Sequence, residues 1–251
     1  MQIGLLGSGN MALALARGWQ RPVLASDVVA ARAQALTDEV GGEVVDSNAE
    51  LARRADVLVL CHKPAQLEAI ATETAPGASI VLSLLGGVPL SRLRAAYPNV
   101  PVYRIIPNVA SAVGAGVTAL VADDAGDAQA YASVRELLEG VGTVVEIDEA
   151  QIDVAMVLAS LQPAFLALVA EAQIYAAIRR GMPAPLAGEL VGAAIEGCAA
   201  LLRARDMDTL AVRRQVTSPG GATARGLRAL EAGGLRSAFD DGMDAALEGL
   251  G

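Results

Sequence analysis

Short apolar runs alternate with segments of helical periodicity over the first 149 residues of the chain. Apolar runs of four or five residues bounded by turn residues are typical of buried strands. They predict strands at Ile3–Leu6, Val23–Ser26, Glu43–Val45, Val57–Leu60, Ser79–Leu82, Val102–Ile106, Val117–Val121 and Thr143–Glu146. Because strands that alternate with helices form doubly wound parallel sheets, we predict an α/β fold whose later strands can be antiparallel.

The second part of the chain has a different pattern, since no strand signal follows residue 149. Apolar positions there recur at helical spacing, interrupted at Gly181-Met182-Pro183 and Ser218-Pro219-Gly220. They predict helices at Glu149–Arg180, Pro185–Arg203, Thr209–Val216, Ala222–Ala232 and Leu235–Leu247. We therefore predict two domains, residues 1–149 around the sheet and residues 150–251 all helical.

A glycine-rich turn, Gly7-Ser8-Gly9-Asn10-Met11-Ala12, joins the first predicted strand to a helix over Asn10–Trp19. Its pattern is G-x-G-x-x-A, in which the glycines let backbone amides approach a pyrophosphate and the small third residue lets the helix pack against the strand. The N-terminus of the helix also favours an anion. We predict a Rossmann-type dinucleotide site that includes Gly7, Ser8, Gly9, Asn10 and Met11.

Asp27 ends the second predicted strand, 18 positions after Gly9. An acidic residue at about this distance binds the adenosine ribose hydroxyls in NAD-binding folds and repels a 2′-phosphate. We therefore predict NADH or NADPH as the cofactor, with a preference for NADH. A second interpretation is that Asp27 caps a helix over Val28–Val40, and both interpretations can hold.

A second anion site is predicted from the segment Gln215–Thr223. Pro219 stops the preceding helix, and two glycines allow a ligand to approach the bare backbone. A helix that begins at Ala222 directs free N–H groups at the turn, where they favour a carboxylate or phosphate. The alternative is an ordinary corner between two helices, capped by Ser218.

These two motifs, in this order on a chain of 251 residues, resemble the pyrroline-5-carboxylate reductase family. Lys63-Pro64 and the loop Arg104–Asn108 are similar to two further motifs of that family. The resemblance implies NAD(P)H-dependent reduction of the cyclic imine 1-pyrroline-5-carboxylate to L-proline, the last step of proline biosynthesis. It also implies that the helical domain forms an intertwined homodimer or higher homo-oligomer. Implied cofactor residues are Lys63, Pro64 and Asn108; implied substrate residues are Ser218, Gly220, Gly221, Ala222 and Thr223, with the Thr223 hydroxyl assisting protonation of the imine.

His62 and Lys63 are the only histidine and the only lysine, and they follow the strand Val57–Leu60. Ligands bind at this carboxyl edge of a parallel sheet. The family pattern does not require histidine there, and we interpret His62 as a solvent-edge or cofactor-binding residue rather than a general acid. The segment Glu149–Arg180 has no lysine, which argues against the β-hydroxyacid dehydrogenases, a group that resembles this chain in fold order but has a catalytic lysine on that helix.

One segment departs from the resembled family. Where that family has Gly-Ser-Gly-Pro-Ala, this chain has Ser160-Leu161-Gln162-Pro163-Ala164. Bulkier residues there leave two alternatives open: a reductase of another cyclic or noncyclic imine, or a catalytically inactive dinucleotide-binding sensor.

Composition limits the remaining possibilities. The net charge of −9 argues against nucleic acid and anionic membranes as partners. Hydrophobic residues make up 53% of the chain, so we expect an oligomer interface. The apolar stretch Ala155–Ala170 contains Ser160, Gln162 and Pro163, and we predict a buried helix there rather than a membrane span. Cys61 and Cys198 are predicted to be reduced, buried thiols of a cytoplasmic protein without a metal site or signal peptide.

Overall fold

The computed structural model describes residues 1–121 and 127–250. They form two compact units, Met1–Pro163 together with Leu250, and Ala164–Gly249. The first unit thus extends beyond residue 149, where we predict the domain boundary, and that boundary stays a prediction. Gly251, the end of the predicted second domain, lies outside the described residues.

The first unit contains one sheet with the strand order β3-β2-β1-β4-β5-β6-β7-β8. Neighbouring strands are parallel except β6 and β7, which are antiparallel, so the possibility of antiparallel later strands is confirmed. Every predicted strand is present, with ends that differ by two residues at most. The strands are β1 Ile3–Leu6, β2 Val23–Ser26, β3 Gly42–Val44, β4 Val57–Leu60, β5 Val81–Ser83, β6 Val102–Ile106, β7 Gly116–Val121 and β8 Gly142–Ile147.

Helices cover both faces of this sheet. Successive residues of a strand point to opposite faces, and accordingly Val57 and Val59 belong to one apolar cluster whereas Leu58 and Leu60 belong to the other. All four are fully buried, which explains why the strand is a continuous apolar run. The helices are α1 Asn10–Trp19, α2 Ala30–Val40, α3 Asn48–Arg54, α4 Leu67–Thr74, α5 Leu90–Ala96 and α6 Ala128–Glu139.

The segment after β8 differs from the continuous helix predicted over Glu149–Arg180. A short 3₁₀ turn leads into α7, Ile152–Ala155, which continues as a π-turn over Met156–Ser160. The next helix, α8, spans Gln162–Ile178. Pro163 explains the interruption, because it has no N–H to donate to the carbonyl four residues earlier.

The second unit is helical, as predicted. After α8 it contains α9 Ala184–Arg203, α10 Thr209–Gln215, α11 Ala222–Ala232 and α12 Leu235–Glu248. The prediction that the stretch Ala155–Ala170 is buried holds in the single chain only for Val157 and Ala159, and it is wrong for the rest, since α8 has no buried residue. Cys198 on α9 is exposed, so its predicted burial is also wrong here. Both predictions rested on hydrophobicity, which does not distinguish a core from a surface that a second copy covers.

Among the residues that the structure describes, two helical stretches are long and apolar enough to cross a membrane by length and composition alone. They are residues 149–178, with mean hydropathy 1.9, and Ala184–Arg203, with mean hydropathy 1.4. The first contains Gln162, Pro163 and Glu171. The absence of a membrane partner therefore stays a prediction.

Candidate active site

The two glycines of the turn between β1 and α1 have different backbone conformations and surroundings. Gly7 has φ +99°, and a Cβ there would lie 2.7 Å from the carbonyl oxygen of Cys61, so only glycine fits. Gly9 has φ −78°, and a Cβ there would have no atom within 4 Å. Its backbone is therefore open to a ligand. Ala12 is fully buried, as the predicted packing of α1 on the strand requires.

The start of α1 offers free backbone donors to such a ligand. Gly9 is the N-cap residue and no side chain caps the helix. The first N–H groups of a helix have no partner within it and favour an anion. An uncapped helix end beside an open glycine is the cradle that a pyrophosphate requires, so these residues fit a dinucleotide.

A cavity of about 320 Å³ lies along this turn. Its lining includes one acidic residue, Asp27, and two basic residues, Arg32 and Lys63. The carboxylate can accept hydrogen bonds from hydroxyl groups of a ligand, and the basic groups can bind its phosphates. The residues that line it are Leu6, Gly7, Gly9, Ser26, Asp27, Val28, Arg32, Asn48, Cys61, His62, Lys63, Pro64, Gln66 and Ile70.

Asp27 fastens the glycine-rich turn to the end of β2. One carboxylate oxygen accepts the backbone N–H of Ser8 at 2.7 Å, and the other accepts that of Val29 at 2.8 Å. Helix α2 begins at Ala30 and no side chain caps it, so the interpretation of Asp27 as the cap of a helix from Val28 is wrong. Each carboxylate oxygen keeps a second lone pair for a ribose hydroxyl.

A chain of polar side chains extends from β2 behind Asp27. The Ser26 hydroxyl donates to Oδ1 of Asn48 at 2.9 Å, and Nδ2 of Asn48 donates to Glu73 at 2.9 Å. Asn48 is therefore held with its amide along the wall of the cavity. Sequence reasoning missed Asn48, because it lies on α3 and no motif marks it.

His62 follows β4 at the carboxyl edge of the sheet. Its Nδ1 lies 2.9 Å from the carbonyl oxygen of Lys63. A carbonyl only accepts, so Nδ1 carries the proton and Nε2 is left as an acceptor. Nε2 is buried and has no partner among the described residues. Burial lowers the pKa of His62, against a smaller opposing effect of the Lys63 carbonyl, so the ring is neutral at pH 7.

A second cavity of about 310 Å³ shares Gly9, Cys61 and His62 with the first. Burial raises the pKa of the Cys61 thiol to about 12, so it stays protonated. The shared residues make the two cavities neighbours along the turn, which suits a ligand with two ends. The second cavity is lined further by Met11, Ala12, Leu84, Leu85, Gly86, Ile106, Pro107, Met156 and Ser160.

The structure brings most of the predicted cofactor residues to these two cavities, namely Gly7, Gly9, Met11, Asp27, His62, Lys63 and Pro64. Three others line neither. Ser8 bonds to Asp27 through its backbone, and Asn10 is exposed at the start of α1. Asn108 is buried and bonded to the protein on both sides of its amide, to the carbonyl of Ala159 and the N–H of Val117.

The predicted substrate turn lies in the second unit. Gly220 has φ +67°, which favours glycine, whereas a Cβ on Gly221 would lie 2.4 Å from the Ser218 hydroxyl, which would have to move. Gly221 is the N-cap of α11 and no side chain caps this helix. Ser218 is therefore not the cap, whereas the alternative of an ordinary corner between two helices stays open. The first N–H groups of α11, including that of Thr223, are directed at the turn.

Comparisons with known proteins cover nearly the whole chain. Residues 149–250 match the family model described as pyrroline-5-carboxylate reductase dimerisation, and residues 2–87 match the one described as NADP oxidoreductase, coenzyme F420-dependent. The pyrroline-5-carboxylate reductase of Thermus thermophilus is 34% identical over 97% of this chain and 93% of its own length. That of Synechocystis sp. is 32% identical over 98% of this chain and 96% of its own. The crystal structure of 1-pyrroline-5-carboxylate reductase from Streptococcus pyogenes is 26% identical, with a TM-score of 0.87 over 100% of this chain and 98% of its own.

Proposed function

Because this chain belongs to the pyrroline-5-carboxylate reductase family, we propose that it reduces 1-pyrroline-5-carboxylate to L-proline with NAD(P)H. The observation that supports this best is the presence of two helices on one chain whose N-cap residue is a glycine, Gly9 and Gly221, and whose ends no side chain caps. The first suits the pyrophosphate of a dinucleotide and the second suits the carboxylate of an imino acid. The reaction is the last step of proline biosynthesis.

The protein's part in this reaction is to bind, orient and exclude water. When bound, the reduced nicotinamide supplies the hydride. The backbone N–H groups of Gly221, Ala222 and Thr223 hold the substrate carboxylate, and Ser218 and Gly220 shape that turn. An imine carbon accepts hydride readily once its nitrogen is protonated or hydrogen-bonded. The Thr223 hydroxyl forms a hydrogen bond with the imine nitrogen and assists its protonation, so Thr223 is the catalytic residue of this proposal.

His62 does not act as the acid. Its ring is neutral because burial lowers its pKa, and its one proton is donated to the carbonyl of Lys63. A group in that state has no proton to give to the substrate at neutral pH. His62 instead belongs to the wall that the two cavities share.

NADH is the cofactor we propose to be preferred. The carboxylate of Asp27 lies in the first cavity, where it accepts ribose hydroxyls and disfavours a 2′-phosphate. Arg32 lines the same cavity and attracts such a phosphate. The preference therefore depends on which charge is nearer to the ribose, and kinetics with both cofactors decide it.

The chain works as a homodimer or higher homo-oligomer. Its helix α8 has a mostly apolar sequence and no buried residue, and an apolar surface of this kind is expected to be buried in an interface. The match of residues 149–250 to a dimerisation domain favours a second copy over lipid as the partner in that interface. We also propose a cytoplasmic location without membrane or nucleic-acid partners, in keeping with the net charge of −9. Sedimentation in detergent-free buffer tests the homo-oligomer, and a monomer or an insoluble protein contradicts it.

A different imine is the alternative substrate. Ser160, where the family has glycine, lines the second cavity, and the Gln162 amide oxygen is buried without a partner among the described residues. Both features belong to the departing segment and can change which ring fits. Initial rates with five- and six-membered cyclic imines and a noncyclic imine, each with NADH and NADPH, test the proposal. The highest kcat/KM for 1-pyrroline-5-carboxylate supports it; tight dinucleotide binding without imine-dependent oxidation indicates a sensor.

A further inference from the structure

Pro163 leaves a backbone carbonyl one turn earlier in the chain without its usual hydrogen-bond donor. In a continuous helix the N–H of residue 163 would donate to the carbonyl of Ala159, but proline has no N–H. The backbone around this point adopts a π-turn over Met156–Ser160, in which the N–H of Leu161 donates to the carbonyl of Met156 at 3.2 Å. The carbonyl of Ala159 is left without its helical donor.

Asn108 supplies the missing donor from another part of the fold. Its Nδ2 donates to the carbonyl oxygen of Ala159 at 3.1 Å, and its Oδ1 accepts the N–H of Val117 at 3.3 Å. The Asn108 residue is only 6% exposed. An amide is the side chain that both donates and accepts within this reach, and the isosteric aspartate has no donor for a carbonyl.

This bond joins two walls of the second cavity. Met156 and Ser160 lie on the π-turn and line that cavity on one side. Ile106 and Pro107 line it as well, and they immediately precede Asn108 in the chain. The distance between these two walls, and with it the space available to a ligand, depends on how firmly the π-turn is held to the loop after β6.

We propose that Asn108 is a positioning residue, which holds the π-turn by replacing the hydrogen bond that Pro163 cannot make. Asn108 does not touch the ligand. It acts through Ala159 on the positions of Met156 and Ser160, and therefore on the orientation of whatever occupies the second cavity. Its effect on turnover rests on the proposed function; its effect on the π-turn does not.

The proposal makes Asn108 dispensable when Pro163 is absent. Replacing Pro163 by alanine gives position 163 a backbone N–H that can donate to Ala159 in the usual helical way. A misplacement of about 1 Å in an active site lowers the rate by as much as ~100-fold. We expect Asn108→Ala to lower kcat about 10- to 100-fold and to change the dinucleotide Kd less than about threefold, since the first cavity is intact. Asn108→Ala with Pro163→Ala recovers at least about tenfold in kcat.

Hydrogen exchange of the peptide that covers residues 156–162 gives a readout independent of activity. Exchange there is faster in Asn108→Ala than in the wild type and returns towards the wild-type rate in the double variant, with Pro163→Ala alone as the reference. Asn108→Asp, which keeps an acceptor for Val117, is a second variant with the same expected loss and the same rescue. If an Asn108 variant folds only in combination with Pro163→Ala, the proposal is supported as well.

Unchanged exchange and kcat in both Asn108 variants, or a loss that Pro163→Ala does not repair, overturns the proposal. The failure of the proposed function has a different signature. Wild-type protein that consumes no NAD(P)H with any imine contradicts the function, while the exchange rates of the wild type and its variants still report on Asn108.

Discussion

Substitution of Gly9 by alanine separates ligand binding from folding more cleanly than any other change in the glycine-rich turn. The backbone of Gly9, at φ −78° and ψ −176°, is one that alanine adopts freely. An added Cβ has no neighbour within 4 Å and so projects into the cavities that Gly9 lines. Gly9→Ala therefore leaves the fold intact and places a methyl group where the ligand approaches.

The expected loss of affinity follows from the hydrogen bonds at stake. A hydrogen bond to a charged group contributes about 1.5–3 kcal/mol, and about 1.4 kcal/mol corresponds to a factor of ten in Kd. If the methyl group pushes a phosphate away from one backbone donor, the dinucleotide Kd rises about 10- to 100-fold. The free energy of unfolding stays the same or rises by up to about 1 kcal/mol, because alanine restricts the unfolded chain.

Fluorescence titration with NADH and NADPH measures the affinity, and urea denaturation measures the stability. Gly7→Ala is the contrasting variant: its φ of +99° and the 2.7 Å approach to Cys61 predict a loss of at least about 1–2 kcal/mol in the free energy of unfolding. Gly140→Ala is the control, since Gly140 is exposed with φ −62° and lines neither cavity. Wild-type affinity in a folded Gly9→Ala protein refutes the assignment of this turn as the dinucleotide cradle.

Three further changes test other parts of the site. Thr223→Ala lowers kcat about 10- to 1000-fold if its hydroxyl assists proton transfer, Thr223→Ser restores most of it, and near-wild-type turnover of the alanine variant removes that role. Asp27→Ser removes a negative charge, so the ratio of kcat/KM for NADPH to that for NADH rises about tenfold or more; an unchanged ratio contradicts a part for Asp27 in cofactor choice. His62 has a pKa below its usual 6.5 in the folded chain, so the unfolded chain binds its proton first, and stability falls as pH drops below about 6.5. His62→Gln lacks this contribution, and the free energies of unfolding of wild type and variant are compared by denaturation from pH 7.5 to 5.5. The carboxylates contribute equally to both proteins, so the difference between the two curves reports His62 alone. Parallel curves contradict a lowered pKa of His62.

The strands of the first unit were predictable because each is a short apolar run whose residues are buried on both faces. Val57–Leu60 is the clearest case, with ends that agree with the prediction. The prediction for β5 began two residues too early and ended one residue too early, and the end was missed because Ser83 is polar in the sequence and yet fully buried in the sheet. Periodicity does not reveal a polar residue that the sheet itself encloses.

The site was less predictable where it depends on contacts between distant segments. The turn at Gly7 and Gly9 could be predicted from the sequence alone, since it follows from the backbone freedom of glycine, and its contact with a dinucleotide stays a prediction. Asn108 was predicted to bind the cofactor, but its amide is used by Ala159 and Val117. The reason is Pro163, 55 positions later in the chain, and no local pattern connects the two residues.

The most direct test of the central claim is the product balance of a single reaction. Purified protein is incubated with 1-pyrroline-5-carboxylate and limiting NADH or NADPH, and L-proline and oxidised cofactor are both quantified. The account predicts one L-proline for each cofactor oxidised, with no oxidation when the imine is omitted. Dinucleotide binding without L-proline formation from either cofactor would contradict it.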